Sequence, residues 1–178
     1  MRAKIIFSLI AVGFIAFGCG TKTGGNDDAT KIVFDLSGEA IQASQQTLVF
    51  DEADPKNRYI HLDTSIVYGF CHALTLPDSL KDCNLKLLIT GKMRESASTT
   101  GYIAVAEHNF KDSLTFWETV PSTKFVKELN TWTAFKDSVI IGRGKNNIET
   151  KTLRVFPVKA NGKGTFDVDD LKIVVSQL

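Results

Sequence analysis

Apolar and polar residues alternate along much of this chain, and alternation at period two is the pattern of a half-buried β-strand. Ile32-Val33-Phe34 and Leu48-Val49-Phe50 form two short apolar runs. From Arg58 to Asp63, Tyr59, His61 and Asp63 fall on one face and Ile60 and Leu62 on the other. Ile66 to Leu76 is a β-rich run stopped by Pro77, which has no backbone donor for a ladder. Leu85, Leu87 and Ile89 alternate within Asn84 to Met93, where Gly91 predicts a bulge or bend. Tyr102, Ala104 and Ala106 alternate with Ile103 and Val105. Further strands are predicted over 131–141, 150–158 and 171–175, with a loop at 142–147 and a turn at Asn161-Gly162-Lys163-Gly164. Only 122–130 has helical character, and it is short.

About eight to ten strands with regular turn signals predict an all-β fold, an antiparallel sandwich or barrel. A parallel α/β fold is not expected, because the helices needed for crossovers are missing. No internal repeat is present.

The N-terminus has a different pattern. Arg2 and Lys4 precede an almost unbroken apolar stretch, Ile5 to Phe17, that closes on Gly18. This is the layout of a secretory signal, too short and too weakly flanked for a membrane span. Ala16-Phe17-Gly18-Cys19 resembles a bacterial lipobox. The resemblance implies that Cys19 is the lipidated first residue of the mature chain; plain signal cleavage is the alternative. Gly20 to Thr30 is rich in Gly, Thr, Asn and Asp and reads as a flexible tether. The expected organisation is a signal peptide at 1–18, lipidated cysteine and tether at 19–30, and a β-sandwich domain at 31–178. Acyl chains would hold the protein at the bacterial cell envelope, on the outer membrane, with about 0.8 kcal/mol from each buried methylene.

Charge removes one class of partner. The chain has 21 basic and 20 acidic residues, and loss of 1–18 removes only Arg2 and Lys4. A near-neutral chain offers no footprint for nucleic acid. Of the three cysteines, Cys71 and Cys83 remain as a pair in an oxidising compartment, flanking the turn region Pro77-Asp78-Ser79. They are expected to form a disulfide; two buried free thiols on separate strands are the alternative.

Three segments carry a family resemblance. Leu87-Leu88-Ile89-Thr90-Gly91-Lys92-Met93-Arg94 resembles a central strand leaving the core of a galactose-binding-like jelly roll, as in many carbohydrate-binding modules. Asn130-Thr131-Trp132-Thr133-Ala134-Phe135 resembles the family's tryptophan-led strand. Leu153-Arg154-Val155-Phe156-Pro157-Val158 with Phe166-Asp167-Val168-Asp169-Asp170-Leu171-Lys172-Ile173 resembles its closing strand pair with an aspartate doublet. The resemblance covers roughly half of the chain, Leu85 to Val175, and implies a jelly-roll sandwich.

It also implies a metal. Family members often place calcium at the sandwich edge, so Asp169 or Asp170, with Asp35 or Glu39, are the candidate ligands for a structural Ca2+. The competing reading is a turn and strand-entry cluster capped by backbone amides.

Sugar recognition needs exposed flat rings beside polar groups. Trp117, Trp132, Tyr59, Tyr68 and Tyr102 are the available rings. In Phe116-Trp117-Glu118, one of the two adjacent aromatics must face away from the core whatever the register. The candidate ligand-binding set is Trp117, Tyr102, Glu118, His108 and Arg94, with Glu107 as a further hydrogen-bonding candidate. His61, His72 and His108 lack metal-ligand spacing, and neither a G-x-S-x-G elbow nor a P-loop is present. No spacing selects a carboxylate pair for glycoside hydrolysis. The expected function is non-catalytic glycan binding, with an accessory role engaging another envelope protein as the alternative.

Overall fold

The computed structural model describes residues 31–37, 47–81, 83–109, 111–142 and 150–178. The expected signal segment, Cys19, the tether, Glu39 and 143–147 of the predicted loop lie outside these residues. Among the described residues the chain forms ten strands: β1 (Lys31–Asp35), β2 (Leu48–Phe50), β3 (Arg58–Leu62), β4 (His72–Leu74), β5 (Leu85–Glu95), β6 (Thr100–Asn109), β7 (Leu114–Pro121), β8 (Thr133–Ile141), β9 (Thr150–Asn161) and β10 (Phe166–Gln177). A six-stranded sheet has the order β2-β3-β10-β5-β8, with β1 also on β10. A four-stranded sheet has the order β4-β9-β6-β7. All pairings are antiparallel; the fold is all-β, as the strand pattern predicts, and is the jelly-roll sandwich that the family resemblance implies.

Strand β10 holds the larger sheet together because it serves two partners along one edge. Phe166 to Val168 pair with β3, while Lys172 to Ser176 pair with β1. Its other edge runs along β5. Inward residues of both sheets meet in one core, including Leu87, Ile89, Phe166 and Ile173 from the larger sheet and Ile103, Val105, Leu153 and Val155 from the smaller. Each such side chain, fully buried, stabilises the fold by about 1.5–3 kcal/mol relative to exposure.

A bulge in β10 decides which residues face outward. Asp169 pairs with Lys92 and Lys172 with Thr90, so Asp170 and Leu171 stand opposite Gly91 alone. Asp170 takes a left-handed φ of 51°, which Asp tolerates better than most residues. A Cβ on Gly91 would lie 2.9 Å from both the Asp169 carbonyl oxygen and the Phe135 ring, so the bulge needs glycine opposite it. The irregularity expected at Gly91 is therefore there, but the extra residue belongs to the partner strand. Across the bulge the inward set changes from Phe166 and Val168 to Leu171, Ile173 and Val175. Asp167 and Asp169 consequently face out from the larger sheet.

Several expectations are corrected. The run 66–76 supplies only β4 and an isolated bridge from Tyr68 to Val158. A four-residue helix, α1 (Asp78–Lys81), occupies the predicted turn region. The predicted helical stretch 122–130 contains only the 3-10 turn Ser122–Lys124, pinned by the buried Ser122 hydroxyl, which contacts Glu95 and both backbone groups of Gly101. Cys71 and Cys83 are free thiols, not a disulfide. Cys71 is exposed beside Arg154, whereas Cys83 packs against the inter-sheet core and donates to the Ser79 carbonyl at 3.3 Å.

Candidate functional site

The outer face of the four-stranded sheet is aromatic and almost uncharged. One cross-strand row runs Ala73, Arg154, Ala106, Trp117 over β4, β9, β6 and β7. The next row is Phe156, Ala104, Thr119, followed by Val158, Tyr102, Pro121 with Tyr68 bridged to Val158. Strand alternation puts all of these on one side. Trp117 is 44% exposed and meets Phe156 edge-on, with ring centroids 6.0 Å apart. Its neighbour Phe116 packs against the core. Tyr68 is 65% exposed at the far side of the face. Three strand spacings separate its position from β7, about 14 Å.

Small residues shape the floor between the rings. Ala104 and Ala106 are fully covered, and their short side chains let larger neighbours lie over the sheet. Burial raises the pKa of the Tyr102 hydroxyl, and nearby Tyr68 adds to the shift. Arg154 is one-third exposed and donates from Nη2 to the Asp112 carboxylate at 3.2 Å. His108 lies farther along the same face of β6, and its Nδ1 is buried without a hydrogen-bond partner among the described residues. The result is a flat apolar platform with a guanidinium, an imidazole and threonine hydroxyls at its margins.

Three of the expected site residues, Trp117, Tyr102 and His108, are thus on one face. Glu118 is not. It follows Trp117 in the same strand and points to the other side, where its carboxylate accepts the Thr119 amide at 3.2 Å. Glu107 is turned inward and only 5% exposed. Arg94 belongs to the opposite sheet altogether, on β5. These placements correct the expected hydrogen-bonding frame, because alternation and sheet order separate residues that are close in sequence.

Arg94 belongs to a separate cluster on the outer face of the larger sheet. His61, Asp167 and Arg94 pair directly across β3, β10 and β5. His61 Nδ1 and Asp167 Oδ1 are 2.7 Å apart, and Arg94 donates from Nε and Nη2 to Asp167 Oδ2. The guanidinium lies 4.5 Å from the Trp132 ring centroid and 5.2 Å from that of Tyr59. Burial and the Asp167 charge raise the Tyr59 hydroxyl pKa. For Arg94, burial works against the charge, but the hydrogen bonds and charge of Asp167 outweigh it. Trp132 therefore packs on the outer face of the sheet, and its ring is occupied by Arg94 instead of lying open to solvent.

Of the expected calcium ligands, Asp35, Asp169 and Asp170 lie among the described residues, and each already has a partner. Asp170 pairs with Lys92 at 2.7 Å, and Asp35 faces Lys172 at 3.7 Å and accepts the Ser37 amide at 3.0 Å. Asp169 accepts from Asn57 at 3.3 Å and from the Asp170 amide at 2.8 Å. Burial raises the Asp169 carboxyl, whereas the Ser37 contact lowers that of Asp35. Among the described residues no three His, Cys, Asp or Glu side chains converge as a metal site. Calcium needs six to eight oxygens, and the carboxylates of Asp35, Asp169 and Asp170 each face a donor or cation.

Sequence reasoning missed Phe156 and Arg154 as members of the aromatic face. Their alternation with Leu153 and Val155 was visible in the chain. That β9 lies between β4 and β6, and so places Arg154 on the row of Trp117, is a property of the sheet order.

No protein-family model matches the chain, and no curated protein matches it. Among solved structures, it is similar to a chain in the structure of infectious bursal disease virus Gt strain, with a TM-score of 0.50 and 8% identity over 95% of this chain and 36% of that one. The infectious bursal disease virus VP2 subviral particle gives a TM-score of 0.50 at 10% identity, over 95% of this chain and 37% of that one. This chain therefore spans little more than a third of those viral chains. The xylan-binding module CBM15 gives a TM-score of 0.47 at 12% identity, covering 83% of this chain and 97% of the module. At these identities the likeness is one of fold.

Proposed function

We propose that this protein is a non-catalytic binding module that recognises a glycan on the outer face of the four-stranded sheet, held at the bacterial cell envelope by lipid on Cys19. One observation carries the glycan reading. Trp117 presents an exposed ring on a flat face that it shares with Phe156, Tyr102 and Tyr68. The apolar C–H side of a pyranose stacks on such rings, and hydroxyl and guanidinium groups at the margin take its polar edges. The opposing cluster around Arg94 is a poorer platform, because its tryptophan face is already stacked.

The test is retention of the full chain, purified in detergent, on a panel of immobilised polysaccharides. Wild type is expected to bind at least one polymer, and Trp117→Ala is expected to lose that binding with its melting temperature unchanged. Unchanged retention would remove Trp117 from the site. The anchor is tested separately by metabolic labelling with a radioactive fatty acid, which should label the wild type and leave Cys19→Ala unlabelled.

A second reading, docking to an envelope protein, is favoured by a different surface. Val33, Val174 and Leu88 pair across the larger sheet on its outer face, with Val33 64% exposed and Ile140 nearby at 57%. A flat apolar strip of this kind suits a protein partner. Under that reading Val33→Asp would abolish co-purification of the partner and leave polysaccharide retention untouched.

A further inference from the structure

The charge on the aromatic face narrows the class of glycan. Among the side chains described on the four strands, which leave out that of Lys151, Arg154 is the one Lys or Arg on the outer face, and no Asp or Glu shares that face. Arg154 stands on the same cross-strand row as Trp117, two strands away, a backbone separation of about 10 Å. Phe156, which meets the Trp117 ring, is two residues along its own strand. The guanidinium and the stacking ring thus share one row of the same face.

Its present partner is loosely held. Asp112 reaches Arg154 through one hydrogen bond of 3.2 Å from the β6–β7 loop, and the Asp112 side chain is 64% exposed. Exposed pairs of this kind contribute little to stability, so exchange for another carboxylate is inexpensive. The planar fork of arginine matches a carboxylate in two-point geometry better than it matches single hydroxyls.

We infer that the ligand of this face is an acidic glycan carrying carboxylates, a polyuronide, with Arg154 binding a uronate carboxylate that displaces Asp112. The inference rests on the reading of this face as the glycan site. Trp117 then stacks on a ring of the polymer while Arg154 selects for its charge. Neutral polymers lack the group that would compensate Arg154 for losing Asp112.

The experiment measures binding of the full chain in detergent to polygalacturonate, to the same polymer after carboxyl reduction, and to a sulfated galactan. Polygalacturonate is expected to bind, and carboxyl reduction to remove most of the affinity. Arg154→Gln should weaken polygalacturonate binding about tenfold or more, the loss expected for one charge-assisted pair. Asp112→Asn should strengthen it, because the competing carboxylate is gone. Arg154→Lys should fall between wild type and Arg154→Gln, since it keeps the charge and loses the fork. Equal binding of the native and reduced polymers would overturn the acidic-ligand inference while leaving the glycan site intact. Binding to the sulfated galactan alone would overturn the carboxylate assignment. Failure of every polymer, or binding indifferent to Trp117→Ala, would overturn this site and the inference with it.

Discussion

Arg94 donates two hydrogen bonds, at 3.0 and 2.9 Å, to a single carboxylate oxygen of Asp167, whose side chain is 3% exposed on the solvent side of a β-sheet. A carboxylate so enclosed is tolerated because His61 meets its other oxygen, and because Tyr59 and Trp132 flank the guanidinium. The cluster ties β3, β10, β5 and the entry to β8 together on the face away from the core.

Asp167→Ala is expected to destabilise the fold by about 3 kcal/mol, at the lower end of the range for a broken buried pair because Arg94 keeps some access to water. This corresponds to a fall of roughly 10 °C in the melting temperature of a domain this size. Thermal unfolding followed by circular dichroism measures it. A fall below about 2 °C would show that the network contributes nothing net.

Adjacent aromatics on β7 should respond in opposite ways. Phe116→Ala removes a ring packed on the core and should cost about 2–3 kcal/mol, with polysaccharide retention preserved below the transition. Trp117→Ala removes an exposed ring and should leave stability within about 0.5 kcal/mol while abolishing retention. Paired measurements of melting and retention on both variants check the orientation of the strand. The reverse pattern would mean that the strand faces the other way.

Burial holds the Asp169 carboxyl above the usual aspartate range, opposed by its bonds from Asn57 and the Asp170 amide. Its pKa is therefore higher folded than unfolded. The associated stability is fully present below the unfolded pKa and is lost as pH rises through the folded one. Asp169→Asn cannot ionise and keeps an acceptor for the Asp170 amide. Its melting temperature relative to wild type should rise between about pH 3 and pH 6. A relative fall over that interval would show that the ionised carboxylate is the stabilising form.

The two thiols should behave independently. Cys71 is exposed, and packing around its sulfur raises the thiol pKa with Arg154 partly opposing the shift. Alkylation of the native protein is expected at Cys71 first, accelerating at alkaline pH, with Cys83 slower. Replacing Cys71 by Ser should change stability in non-reducing buffer by less than about 1 kcal/mol, whereas loss of a bond closing so short a loop would cost about 3 kcal/mol. Peptide mapping by mass spectrometry identifies the labelled residue.

The sequence by itself determined the fold class, because period-two alternation is a local property and each strand carries its own record of which residues face inward. It also determined that one of Phe116 and Trp117 must face outward, and that Gly91 marks an irregularity. Tertiary structure decided the rest, since sheet order joins residues far apart in the chain. It brought Arg154 and Phe156 onto the face of Trp117 and sent Arg94 to the other sheet. The same neighbour relations took up the aspartates: Asp169 and Asp170 face Asn57 and Lys92, a pairing set by the bulge in β10. Cys71 and Cys83, near in sequence, remain free thiols. Alternation is encoded residue by residue, but which strands lie side by side depends on how the whole core closes.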